Sequence, residues 1–181
     1  MIDSQGWYRL ARKVPSPHCD VRHDSEDISL LVVHNISLPP GQFGGPYIEQ
    51  FFLGELDANQ HSFFKVIAKM RVSAHCVIRR DGEVVQFVPF HLRAWHAGVS
   101  SFAGRAKCND YSIGIELEGS DFVPYTDAQY QALTELTQVL MERYPNITLP
   151  RITGHQYIAP LRKTDPGLVF DWRRFRAGLK S

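Results

Sequence analysis

Apolar and polar positions along the chain follow two rhythms, and each predicts elements. Residues 29–36, SLLVVHNI, form an apolar, β-branched run that predicts a buried strand ending near His34. The next stretch, SLPPGQFGG, is a loop, because its prolines and glycines forbid regular structure. Short helices are expected over Tyr47–Leu53 and Ser62–Met70. From Arg71 to Pro89, VSAHCVIRR and EVVQFVP read as a hairpin. Asp81-Gly82 supplies the positive φ of a two-residue type I′ turn.

Strict alternation returns in YSIGIELEG, residues 111–119. There Tyr111, Ile113, Ile115 and Leu117 share one face, and Ser112, Gly114, Glu116 and Glu118 the other. The period then changes to that of a helix. Thr126 and Gln129 form a T-x-x-Q capping box, and Tyr130, Leu133, Leu136 or Thr137, Leu140 and Tyr144 form a stripe that Pro145 ends. That stripe is core packing. A short strand near Arg151–Thr153 and an amphipathic helix in FDWRRFRAGL close the chain. Strands alternating with helices around an antiparallel hairpin predict an α/β fold. It is a single domain over residues 1–181, with a mixed central sheet flanked by helices.

Composition narrows the function classes. The 181 residues suit one domain, and 44% hydrophobic content supports a real core. With 20 basic and 19 acidic residues the net charge is +1, so no field of one sign exists to gather nucleic acid. No apolar leader and no run of 18 apolar residues occurs, so neither export nor a membrane span is expected. Cys19, Cys76 and Cys108 are odd in number and lack CxxC spacing. They read as reduced thiols of a cytoplasmic protein, with Cys76 in the core.

The segment GHQYIAPLRKTDPG, residues 154–167, gathers His155, Lys163 and Asp165 on loop-like backbone after a strand stub. His34 has the same setting, and ligand sites of α/β folds collect outside the carboxyl ends of strands. Two imidazoles and a carboxylate match the ligand set of a catalytic zinc site, but no HExxH is present, and spacing does not show a metal site over solvated charge. Glu116 shares its face with Ser112 and Gly114, which leave room for a ligand; it is a candidate general base or a solvent-facing carboxylate. Lys163 is a candidate oxyanion partner. His75 lies within the hairpin, His96 follows Trp95 in RAWHAG, and Trp95 is a candidate pocket wall. His18, His23, His61 and His91 sit in polar segments and read as surface. Arg71, Arg79, Arg80, Arg93, Arg105 and Lys107 read as single charges. Serine-triad and phosphate-loop chemistry find no GxSxG or GKS/GKT, and Cys108 lacks more than a neighbouring lysine as activation.

Taken together, VPSPH, LLVVHNISLPPG, FGGP, RVSAHCVIRRDGEVVQFVPF, RAWHAGVS, CNDYSIGIELEG, RKTDPG and FDW span nearly the whole length. In that order the chain resembles the AmpD branch of the zinc amidase and peptidoglycan-recognition family. The resemblance implies a single mixed-sheet domain and one zinc ion held by His34, His155 and Asp165. It implies Glu116 as catalytic carboxylate and Lys163 as catalytic lysine. Arg71 matches a residue that contacts stem-peptide carboxylates. Lys107 stands where relatives carry arginine, a loss of the bidentate fork. Asn35, His75 and Trp95 match pocket residues. The implied reaction is cleavage of the amide between 1,6-anhydro-N-acetylmuramic acid and L-alanine. The implied enzyme is a cytoplasmic monomer acting on small muropeptides, with no nucleic-acid or membrane partner. A binding module without catalysis, or a lysin acting on polymeric wall, are the rival readings. Tyr157 and Leu161 depart from the family pattern and raise the question of what orients His155 and Lys163.

Overall fold

A computed structural model describes residues 1–180. In chain order its elements are β1 (Arg12–Lys13), β2 (Cys19–Val21), β3 (Leu30–Ile36), α1 (Tyr47–Leu53), α2 (Phe64–Ile67), β4 (Cys76–Ile78) and β5 (Val84–Gln86). They continue with β6 (Leu92–Ala94), β7 (Ser101–Phe102), β8 (Arg105–Ala106), β9 (Ser112–Glu118), α3 (Asp127–Arg143), β10 (Ile152–Gly154), α4 (His155–Ile158) and α5 (Trp172–Gly178). The central sheet has the order β1-β5-β4-β9-β3-β10. β4, β9, β3 and β10 run parallel, while β5 is antiparallel to β4. The sheet is therefore mixed, as the alternating pattern predicts.

β3 and β9 pair along their full length, from Leu30 opposite Ser112 to Ile36 opposite Glu118. β3 is an inner strand covered on both faces, which is why its first four residues are all apolar. β9 divides its residues between two layers. Ile113, Ile115 and Leu117 pack with Leu133, Leu136 and Leu140 of α3 and Phe175 of α5. On the opposite side of the sheet, Val77 and Val85 pack with Phe51 and Phe52 of α1 and Phe64 of α2. α3 starts with the expected box: Thr126 Oγ1 accepts from the Gln129 N–H at 3.1 Å, and Gln129 Oε1 accepts from the Thr126 N–H at 3.1 Å.

Two local expectations change. The β4–β5 connection is longer than a two-residue turn. Gly82 N–H bonds to the Arg79 carbonyl and Arg79 N–H to the Glu83 carbonyl, with a positive φ at Gly82 (91°) but none at Asp81. This pattern is a β-turn followed by a left-handed glycine bulge, which an Asp-Gly pair serves as well as a type I′ turn. α2 covers only Phe64–Ile67 of the expected 62–70. Beyond it the Met70 N–H bonds to the Ile67 carbonyl, a turn that closes the helix early.

Candidate active site

The site forms where three parallel strands end side by side. His34 of β3 lies opposite Glu116 of β9, and Gly154, the last residue of β10, lies opposite Val33. His155 follows immediately and begins α4. The loop after α4 turns back on it: the Lys163 N–H bonds to the Ala159 carbonyl, and the Gln156 N–H to the Asp165 carbonyl. Asp165 thereby reaches the two histidines. His34 Nδ1 and His155 Nδ1 are 2.9 Å apart, and each is 3.0 Å from Asp165 Oδ2.

Protonation decides what this cluster can hold. The Ala97 carbonyl lies 3.1 Å from His155 Nε2 and can only accept, so Nε2 carries a proton and Nδ1 is the nitrogen that faces inward. Burial pushes the His34 pKa down to about 4 despite the opposing pull of Asp165, which favours the neutral form of this ring. Burial resists ionisation of Asp165, but hydrogen bonds from His155 and His34 outweigh it and hold the carboxyl well below the usual range. Two imidazole nitrogens and a carboxylate oxygen thus converge on one point. That arrangement fits a divalent cation with nitrogen and oxygen ligands, and these three residues form the group suited to one among the described residues.

Beside the cluster opens a cavity of about 350 Å³. Phe51, Phe52, Ile67, Met70 and Trp95 give it an apolar wall, and Asn35, Glu116, Lys163 and the three clustered residues its polar end. Glu116 therefore does not point to bulk solvent. Its Oε2 is buried and has no hydrogen-bond partner. Burial, then the charge of Asp165, push its pKa well above the ordinary carboxylate range, against the pull of Lys163. A buried carboxyl raised in this way beside a cleft is the signature of a proton-transfer group. Lys163 is exposed at the same end.

Other sequence candidates separate here. Asn35 lines the cavity and donates to Asp121 Oδ1 at 2.8 Å. Trp95 lines it with its indole N–H on Asp20 Oδ1 at 3.2 Å. His75 does not: it is fully buried where β4 begins, its Nδ1 accepting the Gly114 N–H and its Nε2 facing the Leu92 carbonyl. Neither ring nitrogen is left for the cavity, since Nε2 also lies 3.1 Å from Arg22 Nη2. Arg71 is exposed between Met70 and Val72, two residues of the cavity lining that it does not itself join. Lys107, also exposed, sits outside that lining with its N–H on the Ser100 carbonyl. Tyr157 is 60% exposed and leans on Trp172, so it has no part in orienting His155, a task the Ala97 carbonyl performs. Leu161 is fully exposed.

Sequence reasoning missed four groups. His18, expected at the surface, is buried, stacks on Trp95 and bonds to the Val72 carbonyl, because it adjoins the end of the β2–β6 ladder where Cys19 lies opposite Ala94. Arg22 is buried without a carboxylate and donates to the Asn109, Asp110 and Ser112 carbonyls; burial lowers its pKa to about 10. Glu118 is buried, and accepts from the Gly44 N–H and from Arg79, pinning the SLPPGQFGG loop. His96 lies against His34.

Residues 24–168, the span that takes in every member of the cluster, match the N-acetylmuramoyl-L-alanine amidase family. The chain belongs to this family. Among its curated relatives, the 1,6-anhydro-N-acetylmuramyl-L-alanine amidase AmpD of Citrobacter freundii is 64% identical over 177 residues, covering 98% of this chain and 94% of the relative. A solved structure described as a crystal structure of a Se-Met AmpD derivative superposes with a TM-score of 0.96 at 63% identity, covering 99% of each chain. A more distant amidase, AmiD from E. coli, solved with anhydro-N-acetylmuramic acid-L-Ala-D-gamma-Glu-L-Lys, has a TM-score of 0.61 at 28% identity. It is covered over 65% of its length and covers 98% of this chain. These amidases share the α/β architecture with a mixed central sheet seen here.

Proposed function

We propose that this amidase hydrolyses the bond between the lactyl group of 1,6-anhydro-N-acetylmuramic acid and the L-alanine of a stem peptide, on small muropeptides of cell-wall recycling. The observation that carries this reading is the convergence of two imidazole nitrogens and a carboxylate within 3.0 Å, beside the unpaired carboxyl of Glu116. The names of the AmpD relatives and the ligand of the AmiD complex support the substrate class. A cytoplasmic setting agrees with three free cysteines, and no helix among the described residues is long and apolar enough to cross a membrane. We take the chain to act as a monomer.

His34, His155 and Asp165 are to hold one zinc ion. When bound, zinc supplies Lewis acidity that polarises a carbonyl and brings the pKa of water towards about 7. The chain's own groups do the rest. Glu116, raised in pKa and facing the cavity, takes a proton from the attacking water at a carboxylate oxygen and delivers it to the departing alanine nitrogen. Lys163 Nζ meets the negative charge that develops on the scissile carbonyl oxygen. The apolar wall of Phe51, Phe52, Ile67 and Trp95 excludes water from one side of the bond. Arg71, beside the cavity, and Lys107, outside its lining, are to meet the stem-peptide carboxylates, and Asn35 lines the cavity itself.

The test is incubation with purified anhydro-muropeptide and, separately, intact sacculi, with and without chelator. Cleavage of the small substrate at the lactyl–alanine bond, abolished by chelation and restored by zinc, is the expected result. Binding without cleavage would make the chain a recognition module, and preferential attack on sacculi would make it a wall lysin. Asp165→Ala should lose stoichiometric zinc in elemental analysis while remaining folded; full zinc retention would remove the ligand assignment.

A further inference from the structure

We propose that His96 is a positioning residue for His34. It accepts the His34 Nε2–H on its own Nδ1, and so keeps the His34 Nδ1 free of a proton and aimed at the ion. This inference rests on the zinc reading of the cluster.

His34 Nε2 and His96 Nδ1 are 2.9 Å apart, with the rings nearly perpendicular at 88°. A histidine that ligates through Nδ1 must carry its proton on Nε2, and that N–H needs an acceptor in a buried setting. His96 Nδ1 is placed to be that acceptor. Its other nitrogen, Nε2, lies 3.1 Å from Ser112 Oγ, which can accept in turn. The chain His34 Nε2–H to His96 Nδ1, then His96 Nε2–H to Ser112 Oγ, uses only neutral imidazoles and leaves each donor with an acceptor. In the reverse tautomer His96 donates to His34, and the His34 proton falls on the ligating nitrogen.

The backbone is arranged to hold this ring. The His96 and Ala97 N–H groups both donate to Asn109 Oδ1, at 3.1 and 2.8 Å. Across the strand, Gly114 supplies the space. A Cβ at position 114 would lie 2.4 Å from His96 Cγ and 2.5 Å from its Nδ1. A glycine inside a strand costs stability unless something must come close to it, and here the imidazole does. One short segment thus serves both histidines: the His96 ring meets His34, and the next residue's carbonyl meets His155.

Zinc affinity of the full chain, measured by competition with a chromophoric chelator, tests the assignment. Loss of the partner of a metal-bound histidine typically costs on the order of 10–100-fold in metal affinity. His96→Leu, similar in bulk and lacking nitrogen, should show that loss. His96→Asn, whose Oδ1 can stand where Nδ1 stood, should recover most of it. Gly114→Ala should weaken zinc binding although residue 114 touches no ligand. Equal affinities for wild type and His96→Leu, or an Asn variant no better than Leu, would overturn the proposal. If His96→Leu does not fold, long-range proton–nitrogen spectra of the zinc-loaded wild type with ¹⁵N-histidine decide it. A proton on His34 Nε2 and on His96 Nε2, with none on His96 Nδ1, is expected, and a protonated His96 Nδ1 overturns it. Wild type that binds no zinc would remove the metal-site reading together with this one, whereas zinc-binding wild type with unaffected variants removes this one alone.

Discussion

β9 shows two kinds of surface on one strand. Towards α3 it presents Ile113, Ile115 and Leu117, packed in an apolar cluster. On its other face it presents Ser112, Gly114 and Glu116: a hydroxyl on His96, a gap that the His96 ring fills, and, at the cavity, an unpaired carboxyl. The first face is bought with hydrophobic burial and asks only for shape. The second spends stability, since a strand glycine and a buried, unpartnered carboxyl each weaken the fold. The contrast locates function: where a strand gives up packing on one face only, that face holds the chemistry.

The comparison can be broken in order of effect. On the cavity side, Lys163→Ala should lower kcat by about 10²–10³, the typical loss of one oxyanion donor. Because Lys163 is exposed, the melting temperature should not move. Wild-type turnover in a folded variant would remove its role. On the dry side, Ile115→Val should cost about 0.5–1.5 kcal/mol in urea unfolding, with kcat and zinc content unchanged. A fall in turnover at constant zinc would mean that the two faces are coupled.

The smallest effect separates the faces by sign. In the folded, metal-free chain the Glu116 pKa is raised above its unfolded value of about 4.3. The folded state therefore holds the proton more tightly, and stability falls as pH rises from the unfolded pKa towards the folded one. Glu116→Gln removes that loss. The metal-free variant should be more stable than wild type at pH 7 and equal to it below pH of about 4 in thermal unfolding, whatever its turnover. A variant less stable than wild type at pH 7 would show that the charged carboxylate is well accommodated.

Much of the fold was legible because its period is local. The run at β3, the alternation in β9 and the capping box of α3 each declare themselves within a few residues, and all three stand in the structure. The β4–β5 turn was misread because Asp-Gly serves both turn types, and only the hydrogen bonds tell them apart. The metal cluster could not be read from spacing, since His34 and His155 are 121 positions apart and meet only because β10 lies beside β3. Family resemblance proposed the set that spacing left open, and geometry brings those residues together. Position in the sheet also separates His75 from His96: one is buried beside β9 with its nitrogens on the Gly114 N–H, the Leu92 carbonyl and Arg22, the other lies against His34. The one signal for His96 was across the chain, in the glycine of an otherwise well-packed strand. His18 and Arg22 stand in polar sequence and are buried only because later segments fold over them.

The carbonyl of Ala97 has a consequence for inheritance. It accepts from His155 and from the guanidinium of Arg162. Being main chain, this acceptor survives every side-chain replacement at position 97 that the fold tolerates. The partner of His34 is a side chain and is deleted by one substitution at position 96. The two imidazoles of the same cluster are therefore unequally protected against single substitutions.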